Sequence, residues 1–188
     1  MIKYFKMKYL FISIIVLIIF SCEISIKKPR PISATRDTSS LAINEFDINF
    51  PSNWQLITKY KGTTLMALSP INDSTRIFRE NISVQIFSLN DTFSAEDVAI
   101  YMFKQAINST NSNCQLLNQG YLSENCDEFY AIDYNYPIHN ITTQSKLLCK
   151  VNDKKAYMLI CTSLPYRFNS FYLKEFYPII KSFRLRNK

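Results

Sequence analysis

Five cysteines and one histidine carry most of the nucleophilic and metal-binding capacity of this 188-residue chain. Cys114, Cys126, Cys149 and Cys161 form an even set in the second half, and Cys22 stands apart near the start. In an exported domain an even count raises the expectation of disulfides, and the pairing is open among the combinations available. Spacing suggests Cys114–Cys126 and Cys149–Cys161, each closing a short loop between neighbouring strands. The alternative is four buried thiols, since cysteine also packs well as a small apolar residue. No two cysteines are close enough in sequence for one turn to supply two zinc ligands, so no metal site is expected. His139, in Tyr136-Pro137-Ile138-His139-Asn140, reads as a loop histidine rather than a catalytic base. Asp127 and Glu128 are adjacent, so a strand would turn them to opposite faces instead of pairing them for acid–base work. The sequence holds no nucleophile elbow, no zinc-protease helix and no phosphate loop. Its glycines, Gly62 and Gly120, cannot build a phosphate cradle. No catalytic residue and no cofactor is expected.

Cys22 belongs to different chemistry. Lys3, Lys6 and Lys8 precede an apolar run from Tyr9 to Phe20 that only Ser13 interrupts, the charged head and hydrophobic core of a secretory signal. That run makes roughly 18 Å of helix against a hydrocarbon core of roughly 30 Å, too short to span permanently. The junction Ile19-Phe20-Ser21-Cys22 resembles the lipobox of bacterial lipoproteins, with an apolar residue three before the cysteine and a small one beside it. The resemblance implies cleavage after residue 21, a diacylglycerol thioether on Cys22 and further acylation (palmitate) of the new amino terminus. Several acyl chains would anchor the protein firmly in a bilayer. An ordinary signal peptide followed by a chance cysteine is the alternative. Glu23 at the next position, where aspartate favours inner-membrane retention in the resembled lipoproteins, points to the outer membrane with the domain facing the periplasm.

Residues 1–21 are thus read as signal, 22–44 as lipidated start and flexible tether, and 45–188 as one folded domain. The tether assignment rests on Lys27-Lys28-Pro29-Arg30-Pro31 and the polar stretch to Ser40, which lack any hydrophobic period. Hydrophobic residues make up 47% of the chain and aromatics 14%, enough for a sizeable core. The formal charge of +7 falls to +4 once the three signal lysines are removed, and the rest are scattered. A clustered basic stripe is missing, so no nucleic acid is expected as a partner.

The elements that would position any site follow from periodicity. Phe46, Ile48 and Phe50 alternate with Asp47 and Asn49, as do Ile82, Val84 and Ile86 with Ser83 and Gln85, predicting strands. Thr64–Leu68 is a further strand. Ser94-Ala95-Glu96-Asp97 resembles a capping box opening a helix whose core stripe is Ala99, Met102, Phe103 and Ala106, with Asn108–Asn113 as its exit loop. Four strands then form a meander at 114–122, 129–136, 143–151 and 156–162, with a tight hairpin at Asn152-Asp153-Lys154-Lys155. A last helix is expected from Asn169 or Ser170, carrying Phe176, Ile179, Ile180 and Phe183 inward and bent or restarted at Pro178. This order predicts an α+β domain on a mostly antiparallel sheet.

The same order resembles the PsbP/Mog1-like domains. The resemblance rests on Phe46 through Trp54, Ala67-Leu68-Ser69-Pro70, Glu80-Asn81-Ile82-Ser83-Val84, Lys155-Ala156-Tyr157-Met158-Leu159 and Ile180-Lys181-Ser182-Phe183. It implies a central antiparallel sheet with helices on both sides, Trp54 covering one end of the core and Tyr157 burying its ring with its hydroxyl bonded. It carries over no metal or partner site residue by residue, because such folds serve unrelated partners. The function expected is a non-catalytic binding or accessory module of the bacterial envelope, held at the lipid bilayer and meeting an envelope protein partner. The alternative is a small envelope hydrolase with an unrecognised active site.

Overall fold

A computed structural model describes residues 39–43, 45–58, 63–71, 78–110, 114–122, 129–138 and 140–186. Two sheets share the chain. Strands β1 (Ser39–Ile43), β2 (Phe46–Phe50) and β10 (Arg184–Leu185) form a small antiparallel sheet with β2 in the middle. The main sheet has seven strands: β3 (Gln55–Thr58), β4 (Leu65–Leu68), β5 (Asn81–Ser88), β6 (Gln115–Tyr121), β7 (Tyr130–Ile138), β8 (Ile141–Asn152) and β9 (Lys155–Ser163). Their order is β3-β4-β5-β9-β8-β7-β6, and every neighbouring pair is antiparallel. The expected α+β architecture with its mostly antiparallel sheet is what forms.

Folded structure starts earlier than the sequence pattern indicates. Residues 39–43, assigned to the tether, pair with β2 from Ser39 opposite Phe50 to Ile43 opposite Phe46. An edge strand needs only backbone hydrogen bonds to its neighbour, so the serine-rich segment shows no strong alternation for it.

Helix α1 (Ala95–Thr110) packs on one face of the main sheet, against β7 and β8. Its capping box forms with aspartate in the usual glutamate place. The Asp97 amide donates to Ser94 Oγ at 3.0 Å, and the Ser94 amide donates back to Asp97 Oδ2 at 3.3 Å. Val98, Ala99, Met102, Phe103 and Ala106 are buried as the stripe predicts, while the helix runs three residues into the expected exit loop.

The other face carries the small sheet and the C-terminal helix, built from α2 (Pro165–Phe171), a π-helical turn (Tyr172–Phe176) and α3 (Tyr177–Ser182). It begins four or five residues before the expected start, with Pro165 in the first turn, where the missing amide hydrogen has no intrahelical partner anyway. The π turn has a cause in the sequence. Counting seven on from inward-facing Phe168 reaches Glu175, whereas the next core residue is Phe176, which is fully buried. One extra residue in the turn keeps the carboxylate out and the ring in. Pro178, which cannot donate to a carbonyl in the preceding turn, then sits at the restart of the α-helix.

The hairpin between β8 and β9 turns through Asp153 (φ 47°) and Lys154 (φ 57°), the two left-handed residues of a tight two-residue turn. On the small-sheet side, Phe183 touches three rings: Phe46 at 5.2 Å, Phe129 at 6.0 Å and Tyr157 at 6.3 Å. Ser182 ties the helix end to β2, accepting from the Asn49 amide at 2.8 Å while donating to Ile179 O at 2.7 Å. Trp54 is buried against Phe171 and Phe176. The Tyr157 ring is buried and its hydroxyl reaches Glu45 Oε2 at 3.4 Å.

Candidate functional site

Beneath the C-terminal helix the main sheet changes character from rung to rung. Strand register and the alternation of side chains fix which residues share this face. The central rung, Leu65–Val84–Leu159–Leu148–Ala131, is wholly apolar. The next, Ala67–Ile82–Cys161–Lys146–Asp133, turns charged halfway across. In the third, Ser163–Gln144–Asn135 lie abreast on β9, β8 and β7, and Ser69 and Glu80 extend β4 and β5 at the same level. β6 continues both polar rungs outward, with Asn118 opposite Asp133 and Gln115 opposite Asn135.

The helix meets this polar end with two side chains. Arg167 Nη1 lies 3.0 Å from Glu80 Oε1, a carboxylate with no exposure, whose other oxygen accepts from Ser69 Oγ at 3.1 Å. Arg79 secures the same corner by donating to Ser69 O at 2.9 Å and to Gln55 Oε1 at 2.9 Å. Two of the motifs behind the family resemblance, at 67–70 and 80–84, therefore meet through a buried hydrogen bond, from Ser69 to Glu80. Further along, Lys146 Nζ is 3.0 Å from Asp133 Oδ2 and 4.9 Å from the centre of the Tyr172 ring, which the π turn holds over it. Three buried oxygens in the polar rungs, Asp133 Oδ1, Asn135 Oδ1 and Ser163 Oγ, have no protein hydrogen-bond partner. Paired charges, amides and hydroxyls of this kind can hold and orient a polar group that reaches them. Among the described residues no three His, Cys, Asp or Glu side chains converge as a metal would require.

The cysteines divide differently from the expected pairs. Cys149 stands opposite Met158 and Cys161 opposite Lys146, so no rung contains both. Cys149 belongs to the core under α1 and Cys161 to the core under the C-terminal helix. They are free thiols on opposite faces of the sheet, so the expected Cys149–Cys161 disulfide does not form. Burial pushes the Cys149 thiol up to about 12 and raises that of Cys161 as well, so neither is a nucleophile at neutral pH. Cys114 is half-buried immediately before β6. Cys22, Cys126, Asp127, Glu128 and His139 lie outside the described residues, and with Cys126 the Cys114–Cys126 pairing.

No sequence motif marks Asp133, Asn135, Lys146, Ser163 or Arg167. A signal existed in Ala131/Asp133/Asn135 and Gln144/Lys146/Leu148, where alternate positions turn polar along one strand face. That pattern ordinarily marks a face turned to water.

Beyond this polar end lies β6, the outer strand of the sheet, whose residues are exposed apart from half-buried Gly120. Its sequence Gln-Leu-Leu-Asn-Gln-Gly-Tyr carries no charge, and Leu116, Leu117 and Tyr121 are exposed at 45%, 44% and 55%. A register shift between Leu116 and Asn118 makes a bulge at Leu117.

Comparison with known proteins places this architecture. Solved structures of similar fold include cyanobacterial PsbP (CyanoP) from Synechocystis sp. PCC 6803, at 15% identity and a TM-score of 0.59, covering 86% of this chain and 99% of that one. A protein of unknown function, PA94 from Pseudomonas aeruginosa, aligns at 9% identity and a TM-score of 0.55 over 80% of this chain and 99% of that one. LpqN of Mycobacterium tuberculosis, described as involved in cell envelope biogenesis, aligns at 9% identity and a TM-score of 0.52, over 76% and 83% of the two chains. At these identities the likeness is one of fold. No curated protein matches the sequence. The PsbP family matches residues 39–185, from the first strand of the small sheet to its last, and the chain belongs to that family.

Proposed function

We propose that this protein is a non-catalytic binding module of the bacterial cell envelope, anchored by lipid on Cys22, and that β6 is the strand through which it holds a protein partner. One observation carries the reading: β6 is a seven-residue, uncharged, exposed edge with three apolar side chains. Natural edge strands are commonly blocked by lysine, proline or a cover, because open amides and carbonyls pair with any extended chain. β6 has none of those blocks within its own sequence, and its bulge limits only the centre. An extended segment of an envelope protein can add to it by backbone pairing, with Leu116 and Tyr121 supplying side-chain contact. The exposed amides of Gln115 and Asn118 offer hydrogen bonds to the same partner.

The Ile19-Phe20-Ser21-Cys22 junction supports the anchor, and the structural likeness to LpqN supports an envelope setting. Glu23 favours the outer membrane with the domain in the periplasm. The stretch between Cys22 and Ser39 has a fully extended length of roughly 60 Å, which lets the domain reach a partner beside the bilayer.

Two measurements in intact cells test the proposal. Incorporation of an alkyne fatty acid is expected in the wild type and lost in Cys22→Ala. A photo-crosslinking residue at Asn118 is expected to capture a discrete envelope protein that the same residue at Lys104, on α1, does not. Labelling that survives Cys22→Ala would remove the anchor. Identical capture from both positions, or turnover of envelope substrates by the purified chain, would remove the binding assignment.

A further inference from the structure

The described residues expose six large hydrophobic side chains, and they fall into two groups. Leu116, Leu117 and Tyr121 lie on uncharged β6. Tyr166 (80% exposed) and Leu173 (69%) lie on the C-terminal helix, and Ile71 (63%) is two residues beyond Ser69, at the end of the sheet that Arg167 ties to that helix. The second group has a different electrostatic setting. Exposed Lys174 and Lys181 follow along the helix and exposed Arg184 comes just after it, while half-buried Arg167, beside Tyr166, is already paired with Glu80. Only one acid, Glu175, occurs between residues 165 and 186, and it is half-buried. Aromatic and leucine side chains beside lysines and arginines, on the outer face of a helix whose inner face is already packed, suit the interface of an anionic bilayer. An uncharged apolar surface would suit a protein equally well; the basic rim is what selects a lipid surface here.

We infer that the outer face of the C-terminal helix rests on anionic lipid, with Tyr166 and Leu173 entering the headgroup region and Lys174, Lys181 and Arg184 lying against the phosphates. The contact goes beyond tethering: it orients the domain so that its C-terminal helix faces the bilayer and α1, on the opposite face of the main sheet, faces away. It stands independently of acylation at Cys22, because it is read from the folded domain alone.

Amine footprinting by mass spectrometry tests it, using the full chain recovered from membranes and reconstituted in two kinds of vesicle. One is phosphatidylcholine alone and the other equal parts phosphatidylcholine and phosphatidylglycerol. Acetylation of Lys174 and Lys181 is expected to slow severalfold on the mixed vesicles only. Lys104 on α1 and Lys154 in the β8–β9 turn, both exposed, serve as internal references and are expected to keep their rates. The double variant Tyr166→Ser, Leu173→Asp alters only exposed positions. It is expected to melt like the wild type and to lose the protection. Unchanged rates on the mixed vesicles, equal protection on both vesicle types, or protection that survives the double variant would each overturn the assignment. Protection that appears without lipid and grows with protein concentration would overturn it in favour of a second copy of the chain.

Discussion

Cys149 and Cys161 illustrate how strand register decides chemistry in a sheet. Twelve positions apart around a tight turn, they look like natural partners, yet the register places Cys149 against Met158 and Cys161 against Lys146. Because side chains alternate, the mismatch sends the thiols to opposite cores. Their raised pKa values follow from desolvation, since a thiolate would have to form without water. Iodoacetamide at neutral pH is therefore expected to leave both unmodified in the folded protein and to alkylate both in urea, as read by peptide mass spectrometry. Rapid native labelling of either, or a disulfide-linked peptide containing both, would contradict the register. The polar end of the sheet was equally hidden at this scale. Asp133 and Lys146 are, in sequence, only polar positions within two candidate strands. Their pairing requires β7 and β8 to be aligned and Tyr172 to be lowered onto the lysine by an element some 25 residues downstream. Glu80 was visible as part of a motif, but its need for Arg167 was not.

Elements were more legible than sites. The period-two runs located β2 and β5, the capping box located the start of α1, and the Asn152–Lys155 connection gave a two-residue turn. These signals are local, involving residues within a few positions of one another. What escaped depended on distant partners: β1, stabilised by pairing with β2, and the early start of the C-terminal helix, where Phe168 is buried against the sheet. Of the bend or restart expected at Pro178, the restart is what occurs, preceded by the π turn. That turn makes a specific claim about register, since it exists to bury Phe176 in place of Glu175. Phe176→Ala is expected to cost about 3–5 kcal/mol, the range for removing a fully buried aromatic ring. Glu175→Ala is expected to stay within about 0.5 kcal/mol, as for ordinary surface substitutions. Urea unfolding of the two variants reads the difference, and comparable losses would mean that the helix does not slip at Tyr172–Phe176.

For the whole molecule, the small sheet closes the fold by joining its two ends. β2 sits between β1 and β10, so one early strand holds both the first and the last strand among the described residues. Arg186 completes the closure. Its amide donates to Glu45 O at 3.0 Å, and its guanidinium grips Asp47 with Nε at 3.1 Å and Nη2 at 2.6 Å. The hydrogen bonds from Arg186, with its charge, lower the Asp47 carboxyl below its ordinary value of 3.8 against a smaller opposing effect of desolvation. Between the folded and unfolded values the unfolded chain binds the proton and the folded chain does not. The closure therefore contributes its full stability above the ordinary value and loses it as pH falls through the lowered folded one. Below both values the carboxyl is protonated in either state and the contribution is gone. Both side chains are over two-fifths exposed, so salt should weaken the contact at neutral pH. The measurement is the stability of the wild type minus that of Asp47→Asn, followed by urea unfolding from pH 7 downward. The difference is expected to be positive at neutral pH, to begin shrinking about one unit above 3.8, and to be reduced by high salt throughout. A difference that stayed level through the acid range would show that Asp47 is not tied to Arg186 in solution, and that the C-terminal strand is held by its backbone pairing to β2 alone.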